Sequence, residues 1–146
     1  MQILIMIWKN RPTLEYLKGT SQTTLAKHLG IEFISIEDDS ITAKMPVDER
    51  TKQPFGILHG GASVVLAETL GSVASAFVVE NILKQQPVGL EINANHLKSV
   101  KEGFVYGTVK PIRLGRKIHV WNIEIKNEEG QLICISRLTC MIIGDA

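Results

Sequence analysis

Cysteine is scarce in this chain, and so is any excess of charge of one sign. Its two cysteines, Cys134 and Cys140, fall in what reads as one strand. Six residues of strand separate them by roughly 20 Å, too far for a bond between them. They also lack metal-ligand spacing. With no disulfide framework, a reducing cytoplasm is the expected compartment. Sixteen Lys and Arg against fifteen Asp and Glu leave a formal net charge of +1. That offers no global field for nucleic acid or an anionic membrane, so neither is expected as a partner. An anionic ligand must be held by local groups.

Several signatures are missing as well. There is no G-x-G-x-x-G, no Walker loop, no H-E-x-x-H and no cysteine pair at zinc spacing, so neither a metal nor a resident cofactor is expected. His59-Gly60-Gly61 is like the oxyanion segment of α/β-hydrolases, but the G-x-S-x-G elbow is absent, which argues against a serine nucleophile. The apolar opening is short, and its charges, Lys9 and Arg11, follow it rather than precede it, the wrong order for a signal peptide. Residues 60–79 are apolar enough to suggest a membrane span. Glu68, Thr69, Ser72 and Ser75 interrupt them, however, and no charge clusters flank them. The expectation is one soluble domain, since 146 residues can bury a core without staples.

What is present centres on one stretch. From Gly60 to Val79 nearly every residue is apolar or small, which predicts a helix enclosed on all sides. Glu68 is its one ionisable residue, where a charge is costly unless hydrogen-bonded or used. Around it, residues 13–17 and 23–29 read as short helices opened by Thr13 and Thr23 and stopped by Gly19 and Gly30. Residues 31–37 and 41–47 read as a hairpin, and 48–56 as a polar loop. Pro87-Val88-Gly89 reads as the end of a connection. Four further strands are predicted over 90–97, 104–112, 118–126 and 131–143, with Gly103, Gly115 and Asn127-Glu128-Glu129-Gly130 as turns. Short connections imply antiparallel pairing. The fold class is α+β, a sheet of about six antiparallel strands wrapped around one long central helix.

Gly60 and Gly61 let a ligand approach unpaired N–H groups at the positive helix end. A carboxylate, a phosphate or a carbonyl becoming an oxyanion would suit them. Glu68 favours the last, because a carboxylate repels an anion but can attack a carbonyl or activate water. Ser72, four residues on, shares its helical face and can hold the water or the carboxylate. A structural reading stays open beside this one: a satisfied buried acid, with glycines serving only packing. Eight residues of helix place Glu68 roughly 12 Å beyond Gly60. One chain therefore struggles to bring both to one carbonyl, whereas two helices packed antiparallel about a two-fold axis would pair them, which predicts an obligate dimer.

The run Met45-Pro46-Val47-Asp48, then Gln53-Pro54-Phe55-Gly56-Ile57-Leu58-His59-Gly60-Gly61-Ala62-Ser63, then Ala67-Glu68 and Gly71-Ser72, resembles the hotdog-fold acyl-CoA thioesterases. With Val88-Gly89-Leu90-Glu91-Ile92-Asn93-Ala94-Asn95-His96 and Met6-Ile7-Trp8-Lys9, it is most similar to the branch that hydrolyses 1,4-dihydroxy-2-naphthoyl-CoA in menaquinone biosynthesis and to its proofreading relative in enterobactin biosynthesis. The resemblance implies Glu68 as nucleophile or general base and the Gly60 N–H as carbonyl polariser. It implies that Gln53 and His59 orient the thioester and Ser72 the water. Coenzyme A, part of the substrate, would run past Gly89, His96, Leu97, Lys98 and Ser99 and past Arg113, Leu114, Gly115, Arg116, Lys117 and Ile118, with the cations at its phosphates. It further implies a homodimer with shared sites, paired again into a tetramer. Residues 1–5 lie outside the resemblance, as an extension or because Met6 is the start. Phe55, Leu70, Val73 and Phe77 are the candidates for lining the acyl pocket. Other readings are a thioesterase for phenylacetyl-CoA or medium-chain acyl-CoA, and an acyl-CoA sensor without turnover.

Overall fold

The structure is a computed structural model and describes residues 5–20 and 22–146; most of the 1–5 segment set apart above lies outside them. Its elements in chain order are α1 (Leu14–Thr20), α2 (Leu25–His28), β1 (Glu32–Ile36), β2 (Ile41–Pro46), α3 (Gly60–Val78), β3 (Gln86–His96), β4 (Phe104–Leu114), β5 (Ile118–Lys126) and β6 (Leu132–Ile143). The strands form one antiparallel sheet in the order β1-β2-β4-β5-β6-β3. The α+β expectation of a sheet curved around one long helix holds. The pairing of β3 with β6 places β3 at an edge, with a free outer side.

Alternation builds the sheet's inner face. Along β5, His119, Trp121, Ile123 and Ile125 point inward, and along β6 Cys134, Ser136, Leu138, Cys140 and Ile142 do the same. Both cysteines are therefore buried and unbridged. α3 lies across this face closely enough that Gly107 on β4 has no room for a side chain. A Cβ there would come within 2.8 Å of Leu70 and 3.2 Å of Leu66. The core contains a polar cluster. Ser75 on α3 accepts a hydrogen bond from Trp121 Nε1 at 2.7 Å and lies 3.1 Å from His119 Nδ1.

Several expectations shift. α1 runs past Gly19 to Thr20, whose hydroxyl donates to the Leu17 carbonyl at 3.0 Å. Thr13 does cap α1, its Oγ1 accepting from the Tyr16 N–H at 3.1 Å, whereas the N-cap position of α2 falls on Thr24 rather than Thr23. β3 starts at Gln86, so Pro87-Val88-Gly89 belongs to the strand; an edge strand tolerates proline because its N–H is not needed in the ladder. β4 continues to Leu114 across a bulge between Pro111 and Arg113. The prediction of a fully enclosed helix is half right. Ala62, Leu66, Ala67, Leu70, Gly71, Ala74 and Ser75 are buried, whereas Val65, Glu68, Ser72, Val73 and Ala76 remain half exposed.

Leu66→Ala should lower the unfolding free energy by about 2–5 kcal/mol, measured by urea denaturation, because the cavity it opens against Gly107 cannot collapse. Burial pushes the His119 pKa below its ordinary 6.5, partly offset by the Gly115 backbone. A depressed folded pKa gives stability that is present above the unfolded value and lost as pH falls through it. Stability should therefore decline as pH drops below about 6.5 toward the lower folded value, and His119→Gln should flatten that part of the stability–pH curve.

Candidate functional site

The loop before α3 is tied down at several points. The Asp48–Arg50 pair closes its start (Nη2 to Oδ2, 2.6 Å), and the hydrogen bond from Arg50 holds the Asp48 carboxyl below its ordinary range. The Thr51 hydroxyl donates to the Pro46 carbonyl at 2.7 Å, and the Leu58 N–H to the Val100 carbonyl at 2.8 Å. The Gln53 side-chain oxygen accepts from the Phe55 N–H, so this side chain closes its own turn and presents its amide nitrogen elsewhere.

These ties deliver His59 as the N-cap of α3. Its Nδ1 accepts from the Gly61 N–H at 2.8 Å, while its carbonyl accepts from Ala62 at 3.0 Å and Ser63 at 3.4 Å. His59 was expected only to orient a substrate; it also shapes the helix end. Among the described residues the Gly60 N–H has no acceptor, so the one unspent donor of this helix end is the group expected to polarise a carbonyl. Gly60 faces a cavity of about 330 Å³ that Gln53, Ile57, Leu58, Ser63, His96, Leu97, Lys98, Ser99 and Ile133 also line. The His96 ring covers Gly60 so closely that a Cβ there would fall 2.7 Å from Nε2.

Glu68 does not line this cavity. It projects toward the edge strand, where Oε1 occupies the space that a Cβ of Gly89 would need. Seven strand residues, on the order of 20 Å, separate Gly89 from His96. The structure thus brings together Gln53, Gly60 and His96 to Ser99, and separately Glu68 with Gly89. Ser72 accompanies Glu68. Burial raises the Cys140 thiol pKa, the Ser75 and Ser72 hydroxyls act against that, and the Glu68 carboxylate adds to it. Among the described residues no hydrogen bond or ion pair holds the Glu68 carboxylate, and the residue is half exposed rather than buried.

The third predicted group lies on the β4–β5 turn. Arg113, Arg116 and Lys117 are exposed, with Leu114, Gly115 and Ile118 half-buried among them. Lys117 is bonded to Asp145 at 3.0 Å and to the Gly144 carbonyl at 3.3 Å, while Arg113 and Arg116 form no ion pair among the described residues. Of the acyl-pocket candidates, Leu70 is corrected: it is fully buried against Gly107 in the core. Phe55 is 90% exposed at the loop tip, Val73 lies on the half-exposed face of α3, and Phe77 stacks edge-on with Tyr16 (centroids 5.9 Å apart). Sequence reasoning missed Ser63, which lines the cavity, and the Ser75–His119–Trp121 cluster. The signals were there, in Ser75 seven residues past Glu68 and in His119 and Trp121 two apart on one strand face.

Residues 55–134 match the thioesterase superfamily. The 1,4-dihydroxy-2-naphthoyl-CoA hydrolase of Escherichia coli is 54% identical over 138 residues, spanning 94% of this chain and 100% of that protein. A proofreading thioesterase of Cronobacter turicensis, EntH, is 50% identical, spanning 95% of this chain and 100% of that protein. Among solved structures, a thioesterase of Haemophilus influenzae superposes with a TM-score of 0.91 at 50% identity, covering 95% of this chain and 96% of that one. A mutant thioesterase of Pseudomonas aeruginosa gives 0.92 at 46% identity, covering 95% and 99%. With the long helix cradled by a six-stranded antiparallel sheet, the chain belongs to the thioesterase superfamily and has the hotdog fold.

Proposed function

We propose that this acyl-CoA thioesterase hydrolyses an aromatic acyl-CoA such as 1,4-dihydroxy-2-naphthoyl-CoA, at sites that two copies of the chain build together. The observation that carries the reading is the split itself: an unspent Gly60 N–H at one cavity and an unpaired Glu68 some distance away at an open strand edge. β3 offers eleven residues of free edge, and beside it lies the half-exposed stripe of α3. Exposed edges invite pairing with another strand. An antiparallel pairing of β3 with its counterpart about a two-fold axis sets the two α3 helices side by side. Glu68 of one copy then stands near Gly60 of the other. Pairing of such dimers into a tetramer belongs to the same reading.

In that site the Gly60 N–H binds the thioester carbonyl oxygen and stabilises the oxyanion at the positive helix end. Glu68 attacks the carbonyl carbon, expelling coenzyme A as the thiolate and leaving an acyl anhydride for water to cleave. In the alternative route it takes a proton from a water that Ser72 orients. Either way the products are the free acid and coenzyme A. Gln53 and His59 orient the thioester, with the outer nitrogen of His59 available because Nδ1 is held by Gly61. Gly89, His96 to Ser99 and the β4–β5 turn line the path of coenzyme A, with Arg113 and Arg116 at its phosphates. The aromatic acyl group is supported by the substrate that the Escherichia coli relative is named for. Free-thiol release from a panel of acyl-CoAs tests it: the highest kcat/KM on an acyl group whose carbonyl is bonded directly to the aromatic ring supports the assignment, and a preference for phenylacetyl-CoA or medium chains overturns it.

Glu68→Gln should keep substrate affinity and lose at least about 10²-fold in kcat, because the amide preserves shape but neither attacks nor accepts a proton. Turnover near wild type would remove Glu68 from the chemistry. The shared site has its own test in subunit mixing. Glu68→Ala and His59→Ala chains, each impaired alone, are unfolded and refolded together. Random pairing makes about half of the dimers mixed, each with one intact site, so activity should return to roughly a quarter of wild type per chain. Mixed dimers, verified by two affinity tags, that show only the sum of the parents' activities would place each site within a single chain.

A further inference from the structure

The β4–β5 turn is held from beneath by a residue with no assigned role. His119, 3% exposed, stands opposite Leu114 at the start of β5. It forms the floor of a cavity of about 390 Å³ between the turn, the end of α3 and the segment around Lys9. Its ring lies 3.1 Å (Nδ1) from Ser75 Oγ on α3 and lines the same cavity as Gly115 and Arg116 of the turn, whose Gly115 backbone acts on the imidazole pKa.

The donors and acceptors available limit how these groups share protons. Trp121 Nε1 is a donor only and donates to Ser75 Oγ at 2.7 Å, which leaves the serine's own hydrogen to give away. Donated to His119 Nδ1, it makes that nitrogen an acceptor and puts the hydrogen of a neutral imidazole on the other nitrogen. A neutral ring then stands between helix and turn, and among the described residues no buried side-chain polar atom is left without a partner. Gly115 is restrained on every side. Its N–H donates to the Ile118 carbonyl at 2.8 Å. A Cβ would sit 3.0 Å from that carbonyl and 3.6 Å from Arg113 Nε, so the Arg113 guanidinium lies over this residue while His119 supports it from below. The next residue is Arg116.

We propose that His119 is a positioning residue for coenzyme A: held by Ser75 on α3 and seated beneath Gly115, it fixes the turn that aims Arg113 and Arg116 at the phosphates. The inference rests on the reading of that turn as the phosphate site. It explains why an imidazole is buried where an aliphatic side chain would pack as well. Only a two-ended polar group can tie the turn backbone to the helix.

The test compares benzoyl-CoA with the benzoyl thioester of N-acetylcysteamine, which ends before the phosphates. Its variants are His119→Ala, His119→Gln and the double variant Arg113→Ala/Arg116→Ala, each first confirmed as folded by circular dichroism. His119→Ala should raise KM for benzoyl-CoA about five- to tenfold with kcat within about twofold, and leave kcat/KM for the short thioester within about twofold. His119→Gln, whose amide can accept from Ser75 and donate to Gly115, should restore KM. If His119→Ala does not fold, His119→Gln and Ser75→Ala carry the test, the first with normal KM and the second with KM raised for benzoyl-CoA alone. Equal loss on both substrates, or an unchanged KM for benzoyl-CoA, overturns the proposal. The double arginine variant separates the two levels. If it raises KM for benzoyl-CoA and His119→Ala does not, only the role of His119 fails. If it too leaves KM unchanged, the phosphate reading itself is wrong.

Discussion

The close seating of α3 on the sheet is the constraint from which the rest follows. Leu66 and Leu70 fill the space that a side chain at Gly107 would need, and Leu138 fills the space beside Gly71. Interiors pack near crystal density, so such contacts fix the helix in both rotation and translation. Once Leu66 and Leu70 face the sheet, the helical period sends Val65, Glu68 and Ser72 toward the β3 edge. Glu68 is therefore placed by the packing of its apolar neighbours rather than by any partner of its own, and glycine at position 89 leaves room for its carboxylate.

The same packing leaves the fold unfinished on one side. A helix with an apolar stripe half exposed beside eleven residues of unpaired strand edge is an expensive arrangement for a lone chain. Association would cover both features at once and would bring the two halves of the candidate site within reach of each other. In that view the dimer and the active site are one structural event, and stability and catalysis share an interface.

The two ends of α3 treat polarity differently. At the N-terminus His59 consumes three N–H groups and leaves the fourth, that of Gly60, without an acceptor among the described residues. Toward the C-terminus Ser75, Trp121 and His119 form a buried cluster beneath the turn at Gly115. Buried polar groups that are fully satisfied rigidify their surroundings. The donor left open at one end and the cluster completed at the other fit a division between chemistry and substrate positioning.

The sequence by itself determined the elements and the chemically capable residues. Period-two alternation in β5 and β6, the apolar run of α3 and the motif around Gly60 and Glu68 are local patterns, and local patterns survive in one dimension. It also carried the distance between Gly60 and Glu68, because helix rise depends only on residue count. The placement of β3 beside β6 was decided by tertiary structure, since which strands pair depends on long-range packing that no local pattern encodes. So were the half-open face of α3, the burial of Leu70, and the meeting of Ser75 with His119 and Trp121 more than forty residues away. Those contacts exist only once sheet and helix have closed on each other, because a side chain's partner across the core is set by the relative placement of two elements, and each element's sequence specifies only its own faces.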